Sequence, residues 1–205
     1  TVLAKGNPNE LIYPRSAIKS IQASAMVRHG LDPQVRLLAL VCASHSGAKA
    51  HQEGALEILR GAGLTEAALQ CVVDKPLGIA ERKEWGNKAP TRLAMNCSGK
   101  HAGMLATCVA NGWPIENYLD PKHPLQVAII SEMENLAEEK IAKISTDGCG
   151  APLFLMSMNG FARAFYNLAT STDPVHKKVI AACLANPEMV AGIGRTDTEL
   201  MNQVP

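Results

Sequence analysis

Residues 35–41 read Val-Arg-Leu-Leu-Ala-Leu-Val, a run with a single charge and no polar face. A helix that is apolar nearly all round has to be wrapped by other elements, so this stretch predicts a core helix with the rest of the chain packed about it. Asp32-Pro33 supplies an N-cap and a proline for the first turn, and the run ends at Cys42-Ala43-Ser44-His45-Ser46-Gly47, a small polar cluster. At 205 residues and 47% hydrophobic, the chain has enough material for one sizeable domain spanning 1–205.

Further helices are predicted from about Ser16 to Gly30, Lys49 to Arg60, Asn96 to Ala110 (closed by Asn111-Gly112), Leu125 to Lys143, Ser157 to Ala169, Pro174 to Ala185 and Asp197 to Gln203. Ser46 is expected to cap the Lys49 helix. Thr1-Val2-Leu3-Ala4 begins as if inside a strand. The turn Gly6-Asn7-Pro8-Asn9 leads on to Leu11-Ile12-Tyr13, a hairpin pattern that expects an earlier partner strand. Residues 79–95 carry no clear pattern.

Twenty Lys+Arg against nineteen Asp+Glu leave a formal charge of +1, and aromatic residues make up 4%, which argues against a nucleic-acid partner. No apolar stretch approaches the ~20 residues needed to cross a bilayer, and residues 1–15 lack the order of a signal peptide, so a cytoplasmic location without membrane association is expected. In that setting the six cysteines, which include no Cys-x-x-Cys, are reduced and available as buried hydrophobes, metal ligands or nucleophiles.

Arg15-Ser16-Ala17-Ile18-Lys19 sets a hydroxyl and an amine on one face of a helix, one turn apart. A lysine whose pKa is depressed by burial can take the serine proton, and Arg15 can add to the field or hold a carboxylate. The pattern Ser-x-x-Lys is also the active-site signature of serine β-lactamases and penicillin-binding proteins, but their Ser-Asp-Asn and Lys-Thr-Gly companions do not occur here. Alone, Ser-x-x-Lys is read first as marking an ordinary solvated helix lysine at Lys19. Three polar loops stand beside it, Ser44–Gly47, Asn96–His101 and Asp147–Pro152. His45 next to Ser44 and Ser46 suggests a Ser-His pair, although neighbours in sequence rarely face one another. Cys97, Lys100, His101 and Cys149 offer a metal pocket, for which two thiolates favour zinc; isolated buried cysteines are the plainer reading.

These segments together resemble one family. Arg15-Ser16-Ala17-Ile18-Lys19-Ser20-Ile21-Gln22, Cys42 to Gly47 with His51, Asn96-Cys97-Ser98-Gly99-Lys100-His101-Ala102-Gly103-Met104-Leu105, Thr146 to Pro152, and Pro187 to Gly192 with Arg195 and Asp197 follow the order seen in the L-asparaginase II family, also called class 3 or Rhizobium etli type asparaginases. The resemblance implies an α/β fold similar to the serine β-lactamases and glutaminases, with helices packed on an antiparallel sheet. It also implies hydrolysis of L-asparagine to L-aspartate and ammonia. Ser16, Lys19 and Ser44 match the catalytic positions, Arg15 and Asp147 match positions beside the substrate, and Cys97, Lys100 and Cys149 match zinc ligands. Asn96 joins the Ser44 loop as a candidate for substrate and oxyanion contacts, and assembly as a homodimer stays open. Ser20 stands where the family usually has proline. The family pattern starts before Thr1 and runs beyond Pro205, so the chain is expected to be the N-terminal and central part of such a domain, with the lysine partner of Ser44 and part of the sheet outside it. The non-enzymatic alternative is a domain of this origin that binds zinc or an amino acid without turnover.

Overall fold

A computed structural model describes residues 6–203. Residues 1–4, assigned above to the first arm of a hairpin, lie outside them. Leu11–Ile12 (β1) pairs instead with the central strand Pro152–Ser157 (β3), which pairs on its other side with Lys143–Thr146 (β2). All pairings are antiparallel, in the order β1-β3-β2. The central strand is buried along nearly its whole length and the outer strand β2 is exposed, as expected of an edge. The molecule is therefore α/β, dominated by helices against a small antiparallel sheet.

The apolar run forms α2, Val35–Val41, and it sits at the centre as its composition requires. Leu38, Ala39, Leu40 and Val41 are wholly buried. Each buried leucine contributes roughly 1.5–3 kcal/mol of transfer free energy. Around α2 pack α1 (Lys19–Arg28), α3 (Lys49–Gly61), α5 (Ser98–Asn111), α8 (Pro174–Ala185) and α9 (Pro187–Val190). The helix begins two residues later than expected. Gln34, not Asp32, precedes it, and the Asp32 carboxylate is taken by the Lys178 ammonium.

Small residues set how closely α5 approaches α2. A methyl group on Gly99 would stand 2.5 Å from the Leu40 carbonyl oxygen, and one on Gly103 would stand 2.8 Å from the Val41 methyls. Gly112 closes α5 in the left-handed conformation.

The helix expected over 125–143 is two elements. α6 covers Pro124–Ala137, Glu138 stops it with φ +50°, and Lys143, the last residue of the expected helix, opens β2. Proline at the first turn and His123 Nδ1, which accepts from the Leu125 amide at 3.1 Å, start it. The patternless stretch contains a further helix, α4 (Ile79–Trp85), with no buried residue. After β3, Ser157 caps α7 (Met158–Thr170), and the chain closes with α10 (Thr196–Gln203). No helix among the described residues is long and apolar enough to cross a membrane.

Candidate active site

The Ser16 segment opens with a tight turn. Pro14 leads into a single 3-10 turn, Arg15–Ile18, and the α-helix proper starts at Lys19. Arg15 sits at φ +50°, a conformation that costs a non-glycine residue about 1 kcal/mol or more. The turn leaves Ser16 half-buried and sends Lys19 into the core, where its side chain is among the largest that are fully buried.

The Lys19 amine does not hydrogen-bond to Ser16. It donates to the Ala43 carbonyl at 2.6 Å and to Cys97 Sγ at 3.0 Å. Lys100, from the first turn of α5, donates to Cys149 Sγ at 3.3 Å, and Cys149 Sγ in turn donates to Asp147 Oδ2 at 3.8 Å. Two amines and two sulfurs thus meet in one buried cluster, drawn from α1, the start of α5 and the Asp147–Pro152 loop. The neighbouring Cys149 and the amines of Lys19 and Lys100 lower the Cys97 thiol to about 5, which favours Cys97 as the thiolate of the pair. Its neighbour Cys97 and burial push the Cys149 thiol well up. Burial pulls the Lys19 pKa down more than Cys97 restores it. Burial also opposes the charge on Lys100, but Cys97 and Cys149 outweigh it and raise that pKa.

Ser16 and Ser44 come together from different elements. Both line a cavity of about 620 Å³, with Ser20, Cys42, Arg195 and Asp197 on its wall. Asn96 Nδ2 donates to Ser44 Oγ at 2.8 Å, which leaves the Ser44 hydrogen free to turn toward the cavity. The Ser44 loop is held by backbone pairs to its surroundings: Ser44 N–H to Val190 O at 3.1 Å, His45 N–H to Asn96 O at 3.1 Å, and Ser46 N–H to Ala191 O at 2.7 Å. Behind it, Lys19 grips the carbonyl of Ala43, the residue before Ser44. The cavity and the thiol cluster are therefore joined through Lys19.

Arg15 and Asp147 are paired with each other at 3.0 Å, and neither is on the wall of the serine cavity. Asp147 is nearly buried, whereas the Arg15 side chain is 64% exposed. Their pair braces the loop that carries Cys149. His45 faces neither Ser44 nor Ser46: its Nε2 meets Ser98 Oγ at 3.0 Å and its ring stacks on His51. Ser98 Oγ gives its own proton to Leu93 O, so His45 donates from Nε2. Burial holds His45 well below the ordinary histidine pKa, hence neutral. His101 lies at 2.7 Å from the Tyr118 hydroxyl and, like His45, is buried and neutral. Ser46 does not cap the Lys49 helix; it donates to Glu81 Oε1 at 2.6 Å.

Reading by residue type passed over the functional potential of Arg195 and Asp197, which carried only a family likeness, and over Cys183, whose thiol meets Cys42 on the cavity wall. Only Gly192-Ile193-Gly194, a turn that re-aims the chain just before Arg195, marked the place. Among the described residues no group of three or more His, Cys, Asp or Glu gathers as a metal site, so any cation at the thiols would draw on Lys100 as a third donor.

A protein-family model described as L-asparaginase II matches residues 1–205. No curated protein matches the chain as a relative.

Proposed function

The chain belongs to the L-asparaginase II family, and from that premise we propose that it is an amidohydrolase turning L-asparagine and water into L-aspartate and ammonia at a Ser-Lys site. The observation that carries this reading is the cavity shared by Ser16 and Ser44, with the buried amine of Lys19 directly behind it. Ser16 Oγ attacks the side-chain amide carbon and its proton passes to the Lys19 amine, whose lowered pKa suits an acceptor. Lys19 then hands the proton to the departing nitrogen as the C–N bond breaks and ammonia leaves. Water cleaves the resulting ester by the same route in reverse, releasing L-aspartate and restoring the serine. Ser44 and Asn96 act on the carbonyl oxygen as its charge develops, since a positioned donor there is worth roughly 10²–10³ in rate. Arg15 and Asp147 contribute as a pair that braces the loop carrying Cys149.

The donor set of the buried cluster fits zinc. The Cys97 thiol is held low, Cys149 stands beside it in the cluster, and the Lys100 amine, 3.3 Å from Cys149 Sγ, can bind once it gives up its proton. Bound there, zinc supplies Lewis-acid polarisation and holds both sulfurs as thiolates. Apart from it, Lys100 keeps Cys149 in place and Cys97 anchors the Lys19 amine.

The direct contact of that amine with Cys97 instead of Ser16 favours a second reading, a domain that binds zinc or an amino acid without turnover. Replacing Ser16 by Ala separates the two. Loss of ammonia release with L-aspartate binding intact supports the hydrolase, whereas unchanged ammonia release overturns Ser16 as the nucleophile.

A further inference from the structure

Between α9 and α10 the backbone makes a turn that delivers two opposite charges to the serine cavity. Gly192 holds φ +127°, and a methyl group on it would stand 2.6 Å from Ser46 Oγ, so only glycine lets this strand of chain lie against the Ser44 loop. The approach is pinned by the amides of Ser44 and Ser46, which donate to the carbonyls of Val190 and Ala191. It is pinned again by Thr198 Oγ, which donates to Gly192 O at 2.6 Å. The turn thereby brings Arg195, half-buried, and Asp197, exposed, onto the cavity wall shared with Ser44.

Among the described residues, neither the Arg195 guanidinium nor the Asp197 carboxylate has an ion-pair partner, and they do not pair with each other. This is the opposite of Arg15 and Asp147, which neutralise one another. A cation and an anion held apart on one cavity wall complement a ligand that carries both charges on adjacent groups. A free α-amino acid is such a ligand, and a guanidinium binds a carboxylate through two parallel hydrogen bonds.

We propose that Arg195 receives the α-carboxylate and Asp197 the α-ammonium of the substrate, so that the cavity selects free α-amino acids bearing a side-chain amide and turns that amide toward Ser16 and Ser44. The inference rests on the amidohydrolase reading for its reaction but not for its binding. It makes Arg195 and Asp197 the residues that reject amides lacking either charge, because such ligands leave a charged group of the site without a partner.

The test compares the wild type with Arg195→Met, Arg195→Lys and Asp197→Asn on three amides. These are L-asparagine, 3-aminopropanamide, which lacks the α-carboxylate, and succinamic acid, which lacks the α-amine. L-aspartate binding is measured alongside by calorimetry. Arg195→Met is expected to weaken L-aspartate binding and lower kcat/KM for L-asparagine by roughly 10- to 100-fold, mainly through KM, while leaving 3-aminopropanamide unchanged. Arg195→Lys restores part of the loss. Asp197→Asn gives the mirror result, with succinamic acid unchanged. Equal losses on all three amides, or no loss, overturn the inference, as does a wild type that does not bind L-aspartate. A wild type that binds L-aspartate through Arg195 yet releases no ammonia keeps this inference and overturns the hydrolase alone.

Discussion

Lys19 owes its chemical character to what surrounds it. Out of water, an amine favours its neutral form, and the Cys97 thiolate restores only part of the charge. Replacing it by methionine keeps the volume and removes the proton carrier. Ammonia release from L-asparagine is expected to fall by about 10²–10⁴-fold, while the melting temperature moves by no more than roughly 10 °C, the equivalent of losing the buried hydrogen bonds to Ala43 O and Cys97 Sγ. The cysteines carry a separate expectation. Elemental analysis of protein loaded with zinc and desalted should find the metal in the wild type and much less in Cys97→Ser, because the thiolate is the strongest ligand of the set; equal contents would remove zinc from the cluster. At this scale the sequence offered residue types and left their partners unreadable. Ser16 and Lys19 look like a pair because three residues separate them, but the amine closes on a sulfur 78 positions away, and a choice between near and distant partners is made by packing.

At the scale of elements, two devices hold the helices in place. The first is the glycine seam between α5 and α2. Gly99→Ala is expected to cost about 1–3 kcal/mol in chemical denaturation, since the new methyl would meet backbone at 2.5 Å and backbone cannot rotate away. A stability equal to the wild type's would show that the seam has room. The second is a polar junction of α1, α6 and α8. Glu132, nearly buried, accepts from Arg28 Nε at 3.0 Å and lies 2.6 Å from His176 Nε2, while Arg28 also reaches Asp173 at 2.7 Å. Burial opposes the Glu132 charge, but the hydrogen bonds from Arg28 and His176 prevail and lower its pKa. A carboxylate with a lowered folded-state pKa adds stability that is fully present above its unfolded value, about 4.3, and is lost as pH falls through the folded one. Glu132→Gln should therefore cost about 2 kcal/mol near neutrality, after discounting for the partly exposed Arg28, and should flatten the acid-side decline of melting temperature. An unchanged acid limb would assign that decline to other carboxylates.

Elements were legible in the sequence where burial imposes a period. The α2 run has to be central because it has no polar face, and α5, α7 and α8 follow their apolar spacing to within a residue or two of their observed ends. α4 was invisible for the same reason, since it buries nothing and Ile79 is 90% exposed. β2 was missed between a helical pattern that ran to Lys143 and the loop that opens at Thr146. Its residues lie exposed at a sheet edge, so no alternation of apolar and polar positions was imposed on them.

Over the whole molecule, the arrangement places a hydroxyl-lined cavity on one side of Lys19 and a buried thiol cluster on the other, with α2 as the partition that ends at Cys42 and the Ser44 loop. Motif order along the chain carried the family, whereas the joining of these two compartments through one amine is a property of the fold. The account stands on Ser16 as the attacking group. The most direct measurement is the rate of ammonia release from L-asparagine by the wild type, Ser16→Ala and Ser44→Ala, each shown to melt like the wild type. The account predicts a loss of about 10⁴-fold or more for Ser16→Ala and a smaller one, about 10²–10³-fold, for Ser44→Ala. A Ser16→Ala protein that keeps the wild-type rate would contradict it.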